Sequence, residues 1–141
     1  MSRNGYDARY RGFDVSAAML EHARRAHEDA PRVVFTDRED ELEPVDFTVA
    51  SGIFNVRLHV TDEDWREYVE ATLEKLAALS TRGFAFNMLT SYSDADKMRP
   101  DLYYGDPRWF FDHCKRRYSR NVALLHDYGL YEFTMIVRLG E

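Results

Sequence analysis

Three strand-ending polar positions carry the chemistry this chain can offer. The first is Asp14, which closes the apolar stretch 10–14 and is followed at once by a helix-forming run. A carboxylate at the C-terminal end of a parallel strand stands at the crevice where α/β sheets bind ligands, and it can accept both hydroxyls of a ribose. The plainer role for Asp14 is to assist the cap of the helix behind it. The second is Asp37, which follows Val33, Val34 and Phe35 and opens an acidic loop. A solvated loop acid is the alternative there. The third is the run 51–55, Ser51, Gly52, Ile53, Phe54 and Asn55, which leaves a strand at 47–51. Gly52 permits close backbone approach to a ligand. Asn55 either orients a substrate or simply terminates the strand.

Other residues are weaker candidates. His59 lies before a helix start and can titrate near neutrality, as a general base must. His126 falls in a strand and reads as structural. The five histidines show no metal-binding spacing. The single cysteine, Cys114, excludes an internal disulfide and a Cys-based zinc site, and beside Trp109 and Phe110 it reads as a core residue. The long segment 90–106 carries Tyr92, Asp94, Asp96, Arg99, Tyr103 and Tyr104. Loops of that length often cover a site. Tyr92, Tyr103 and Tyr104 are therefore candidates for a substrate wall facing a flat or cationic group, and a plain solvent-facing connection is the other reading.

The elements that must position these residues follow from pattern. Strands are expected at 10–14, 32–36, 47–51, 84–89, 122–127 and 131–139, the last with Tyr131, Phe133, Met135, Val137 and Leu139 on one face. Ser16 caps a helix that keeps Ala17, Leu20, Ala23 and Ala26 on one side and stops at Pro31. Thr61 caps a second helix with Asp62, Glu63 and Asp64 in its first turn. Its buried stripe is Trp65, Val69, Leu73, Leu76 and Leu79, and Gly83 is its stop. Asp106 and Pro107 start a third helix, ended by the basic run 113–118. The order β-α-β-β-α-β-α-β-β predicts a mostly parallel sheet covered on both faces, closed by an antiparallel hairpin.

The chain has 141 residues, 45% hydrophobic and 14% aromatic, a globular composition fit for one domain over 1–141. A formal net charge of −6 argues against nucleic acid as the main partner. No run of about 18 apolar residues is present, so no membrane span is expected, and the start lacks an apolar signal region. A cytoplasmic protein is the expectation.

Four stretches together resemble the class I S-adenosylmethionine-dependent methyltransferases. They are Gly12-Phe-Asp-Val-Ser-Ala-Ala-Met-Leu-Glu21, Val34-Phe-Thr-Asp37, Asp46-Phe-Thr-Val-Ala-Ser-Gly-Ile-Phe-Asn55 and Leu124-Leu-His-Asp-Tyr-Gly-Leu-Tyr-Glu-Phe-Thr-Met-Ile-Val-Arg138. Their order and the closing hairpin are more specific than any one stretch. The resemblance covers roughly 5–139 and implies a three-layer, Rossmann-like α/β fold. It implies S-adenosylmethionine as cofactor and a small molecule as substrate. It assigns Asp14 to the ribose, Val15 and Met19 to the adenine surface, and Asp37 and Arg38 to the adenine edge. Ser51, Gly52 and Ile53 would pass beneath the methionine part.

One part of that family's pattern is absent. Its first strand ends in an acid and a Gly-x-Gly loop, whereas the seven glycines here (5, 12, 52, 83, 105, 129 and 140) include no such pair. That strand is also the centre of the family's sheet. Its absence leaves the strands at 10–14 and 47–51 to pair directly, to be bridged by a second copy or another chain, or to belong to a longer reading frame. The expectation is an N-terminally truncated methyltransferase domain, with this chain alone binding the cofactor weakly or not at all. A non-catalytic or partner-completed subunit is the alternative. A dinucleotide-binding domain is a third reading, which the closing hairpin disfavours.

Overall fold

A computed structural model describes residues 8–30 and 32–140 of the protein. The chain forms two compact units, Met1–Glu43 and Pro44–Glu141. The expected stop at Pro31 lies outside the described residues. The element order is the one the pattern predicts, with short 3-10 turns added at Glu39–Glu41 and Ala95–Lys97.

The first unit is one β-α-β element. Strand β1 (Tyr10–Phe13) pairs in parallel with β2 (Val33–Thr36), Tyr10 opposite Val33 and Phe13 opposite Thr36. Gly12 is buried because the Phe35 ring lies over it; a Cβ there would stand 2.5 Å from Phe35 Cδ1. Helix α1 (Ala17–Ala26) opens where the Ser16 side chain accepts the Met19 N–H, and Arg24 and Arg25 sit at its negative end. Of its expected apolar face only Leu20 is buried, as small alanines cover little surface.

The second unit holds a four-stranded sheet in the order β3-β4-β6-β5. Strand β3 (Val45–Ala50) runs parallel to β4 (Ser80–Leu89). Strands β5 (Asn121–Leu125) and β6 (Glu132–Arg138) form the expected hairpin, and β6 runs antiparallel to both β4 and β5. Helices α2 (Asp62–Leu79) and α3 (Pro107–Arg117) carry the predicted caps, Thr61 on Asp64 N–H and Asp106 on Arg108 N–H.

Both helices pack on one face of that sheet. Val69 and Leu73 of α2 and Phe110 and Cys114 of α3 join Phe84, Phe86, Met88, Phe133, Met135 and Val137 in the core. Trp65 Nε1 donates to Phe54 O at 2.9 Å and ties the start of α2 to the chain leaving β3. On the opposite face of the sheet Phe47 is 56% and Val49 73% exposed. Within this unit, then, the two helices lie on one face of the sheet and the other face carries none among the described residues.

One further expectation changes. Gly83 does not stop α2; the helix ends at Leu79, capped by Ser80, and Gly83 lies inside β4. Close strand pairing is the reason for the glycine, since a Cβ there would meet Val137 O at 2.6 Å. Strand β3 is an outer strand of the second unit's sheet.

Candidate functional site

In the first unit, Asp14 follows β1 and is half-buried. Its backbone N–H donates to Thr36 O at 3.2 Å, which holds it at the end of the parallel pair. Its Oδ1 accepts the Ser16 N–H at 2.8 Å, so the carboxylate also assists the helix start. The second oxygen has no hydrogen-bond partner among the described residues. Val15 (81% exposed) and Met19 (57%) lie on the surface and not in a core. Asp37 is exposed. The Arg38 N–H donates to Thr36 Oγ1 at 3.1 Å, while its guanidinium pairs with Asp40 at 3.1 Å and Glu41 at 3.8 Å. Buried Thr36 donates in turn to the Glu41 carboxylate. The acidic loop is thus folded back on the end of β2.

In the second unit, the segment after β3 is anchored by a residue that motif reading passed over. Asn87 of β4 accepts the Gly52 N–H on Oδ1 at 2.8 Å and donates from Nδ2 to Ser51 Oγ at 3.1 Å. The signal was present: Asn87 is the lone amide in the otherwise apolar run Phe84, Ala85, Phe86, Asn87, Met88, Leu89. Gly52 has a φ of 73°, a left-handed value that glycine adopts without strain, and its Cβ position is open space. Ile53 is exposed and Phe54 is buried in the core. Asn55 turns inward: its carbonyl accepts the Tyr103 N–H at 2.8 Å, and its Oδ1 is buried without a partner among the described residues.

Beyond Asn55, Arg57 pins the chain. It donates to Leu102 O at 3.0 Å and Val60 O at 3.2 Å and pairs with Asp62 at 2.8 Å. His59 is exposed. The segment 90–106 is structured by bridges between Thr90 and Gly105 and between Val56 and Leu102. Its three tyrosines separate. Tyr92 is 61% exposed; Tyr104 is half-buried, its hydroxyl accepting the Arg99 N–H at 2.9 Å. Tyr103 is instead a core residue, 6% exposed, and burial pushes its hydroxyl pKa up to about 12. It is not part of an exposed wall.

The expected core role of Cys114 is what the structure shows, with burial pushing the thiol up to about 12. A neutral buried thiol is a poor nucleophile. His126 follows β5, is exposed, and meets Thr90 Oγ1 at 2.8 Å. No group of His, Cys, Asp and Glu that could hold a metal occurs among the described residues, nor does a helix long and apolar enough to cross a membrane.

These features lie at strand ends of a Rossmann-like arrangement, and solved structures share it. The crystal structures of magnesium protoporphyrin IX methyltransferase from Synechocystis PCC 6803, with bound SAM and with bound SAH, match 94% of this chain at 13% identity, with TM-scores of 0.65 and 0.68. The chain spans 60% and 65% of those chains. A structure of the Pnkp1/Rnl/Hen1 RNA repair complex matches 98% of the chain and 33% of its own, at 17% identity and a TM-score of 0.62. These likenesses establish a class I methyltransferase fold. No protein-family model matches the sequence. A Mycobacterium tuberculosis protein named "Putative methyltransferase Rv1506c" is 55% identical over 143 residues, covering 98% of this chain and 83% of that protein. At that identity and coverage the sequence match reaches beyond shared fold, and the chain belongs to the methyltransferase family of that mycobacterial protein.

Proposed function

We propose that this chain uses S-adenosylmethionine to methylate a small molecule, and that it does so in the cytoplasm. The observation that carries this reading is the turn at Ser51 and Gly52, open to close approach and fixed by Asn87 at the C-terminal end of the parallel β3–β4 pair. Ligands of parallel α/β sheets bind at that end. Each unit by itself offers groups that suit the cofactor: the first has the Asp14 carboxylate for ribose hydroxyls, Val15 and Met19 as apolar surface for an adenine, and Asp37 and Arg38 as polar groups for its edge. The second has Ser51, Gly52 and Ile53 as backbone suited to the methionine part. The cofactor contributes an activated methyl group; the chain contributes proximity and alignment. Tyr92 supplies exposed aromatic surface toward an acceptor, with exposed His59 and half-buried Tyr104 as further candidates, whereas the inward turn of Asn55 leaves it a structural role. The net charge of −6 supports a small molecule over nucleic acid.

The isolated chain binds the cofactor weakly, because none of its glycines forms a Gly-x-Gly loop. Ligand-observed NMR at millimolar S-adenosylmethionine tests this. A saturable signal that is lost in Asp14→Asn is the expected result. No signal at any concentration overturns the cofactor assignment for the chain by itself. A stronger response to NAD would instead favour a dinucleotide site.

A second reading rests on β3. It is an outer strand with Phe47 and Val49 exposed, so its edge and face are available to a strand from a second copy or another chain. Mass measurement in solution tests it. A folded, strict monomer that binds S-adenosylmethionine tightly overturns it.

A further inference from the structure

We propose that His126 presents a fixed Nδ1–H donor to an oxygen of a planar, uncharged small molecule at the end of the sheet where β4 and β5 finish. The inference rests on the methyltransferase reading and names the class of its acceptor.

The argument starts from Thr90. This residue is 1% exposed, and its hydroxyl carries one proton and two lone pairs. One lone pair accepts the Tyr92 N–H at 3.2 Å. The remaining partner of Oγ1 is His126 Nε2 at 2.8 Å. A buried hydroxyl proton needs an acceptor. Among the described residues Nε2 is the atom that takes it. Thr90 therefore donates, Nε2 keeps its lone pair, and the ring proton resides on Nδ1. The ring is braced on two sides, by Tyr92 with centroids 5.8 Å apart and by Phe133 at 6.2 Å. His126 itself is exposed, and its Nδ1 has no partner among the described residues. The result is a donor held in place and left unused.

Its surroundings select the ligand. Tyr92 (61%), Leu130 (61%) and Tyr131 (44%) are exposed around the same strand ends. The Thr90 N–H donates to Tyr131 O at 3.0 Å, so these groups share one anchor. The Tyr131 hydroxyl is occupied by Asp94 at 2.6 Å, which leaves ring surface as what it offers. Flat rings stack on exposed aromatic faces such as these. Charge sets the rest. Asp94, Asp127 and Glu132 lie on these same segments, with Arg108 already bonded to Asp106. That balance disfavours an anion, and an outward N–H disfavours a cation. A carbonyl or phenol oxygen on a flat, neutral molecule satisfies both.

The test uses the full chain, labelled with 15N in histidine, and benzamide as probe. Long-range 1H–15N spectra should show His126 as the Nδ1–H tautomer, and benzamide should shift that nitrogen saturably. Thr90→Val should erase the tautomer preference and weaken benzamide binding at least five-fold, whereas Thr90→Ser should keep both. Benzoate should bind more weakly than benzamide. An Nε2–H tautomer, an absent or non-saturating shift, or tighter binding of benzoate overturns the proposal. None of these readouts needs the cofactor. Loss of S-adenosylmethionine binding with an intact benzamide response would therefore strike the methyltransferase reading alone.

Discussion

Asn87 holds Gly52: the amide oxygen of one accepts the backbone N–H of the other at 2.8 Å, across the parallel pair β3–β4. Because Asn87 also donates to Ser51 Oγ at 3.1 Å, one side chain fixes two successive residues of the turn. Asn87→Ala removes both bonds. The expected cost is about 1 kcal/mol of stability, since both partners stay within reach of water. S-adenosylmethionine binding should fall by about tenfold, a larger effect than the stability loss implies for a merely structural residue. Urea unfolding and ligand titration on the same variant separate the two.

Gly83 is a packing requirement within β4. In Gly83→Ala the new methyl group meets Val137 O at 2.6 Å, and backbone on both strands must move. Overpacking of this kind costs about 1–3 kcal/mol. Chemical denaturation should show that loss; an unchanged midpoint would mean that β4 and β6 separate there without penalty.

Cys114 and Tyr103 make the protein sensitive to alkali. Both are buried and both have their pKa pushed up to about 12. An unfolded thiol ionises near pH 9 and an unfolded phenol near pH 10, so above those values the unfolded state sheds protons that the folded state keeps. Stability from these groups is fully present below about pH 9 and is lost as pH rises toward about 12. Thermal melts should hold up to about pH 9 and fall progressively above it, and Cys114→Ala should flatten part of the slope. In the native protein at about pH 8, iodoacetamide should leave Cys114 unmodified until denaturant is added.

The two faces of the second sheet should respond differently to truncation. Phe110 is buried in the core, and Phe110→Ala should cost about 3–5 kcal/mol. Phe47 is exposed, with the Arg82 guanidinium 5.2 Å over its ring, and Phe47→Ala should stay within about 0.5 kcal/mol. A large loss at Phe47 in the unfolding midpoint would show that this face is covered in solution by another polypeptide.

Local chemistry was legible in the sequence wherever a residue acts through its nearest neighbours. Ser16, Thr61 and Asp106 each cap the helix that follows, because a side-chain oxygen reaches an N–H two or three residues on whatever the rest of the chain does. The alternation at Phe133, Met135 and Val137 buried one face of β6, since a strand's period is two. The strand-ending positions of Asp14 and of Ser51 and Gly52 were readable for the same reason.

What the sequence left open depended on partners far along the chain. Gly83 has the composition of a helix stop, and only the approach of Val137 makes it a strand residue. Tyr103 sits in a polar loop by sequence, yet the Asn55 carbonyl draws its backbone inward and the ring joins the core. Asn87 gained its role from Ser51 and Gly52, 36 and 35 residues away. His126 gained its one from Thr90, 36 residues away. The sequence by itself determined which elements form and which strand ends carry polar groups. Tertiary structure decided which of those groups meet, because hydrogen bonds and packing between distant segments have no signature in local spacing.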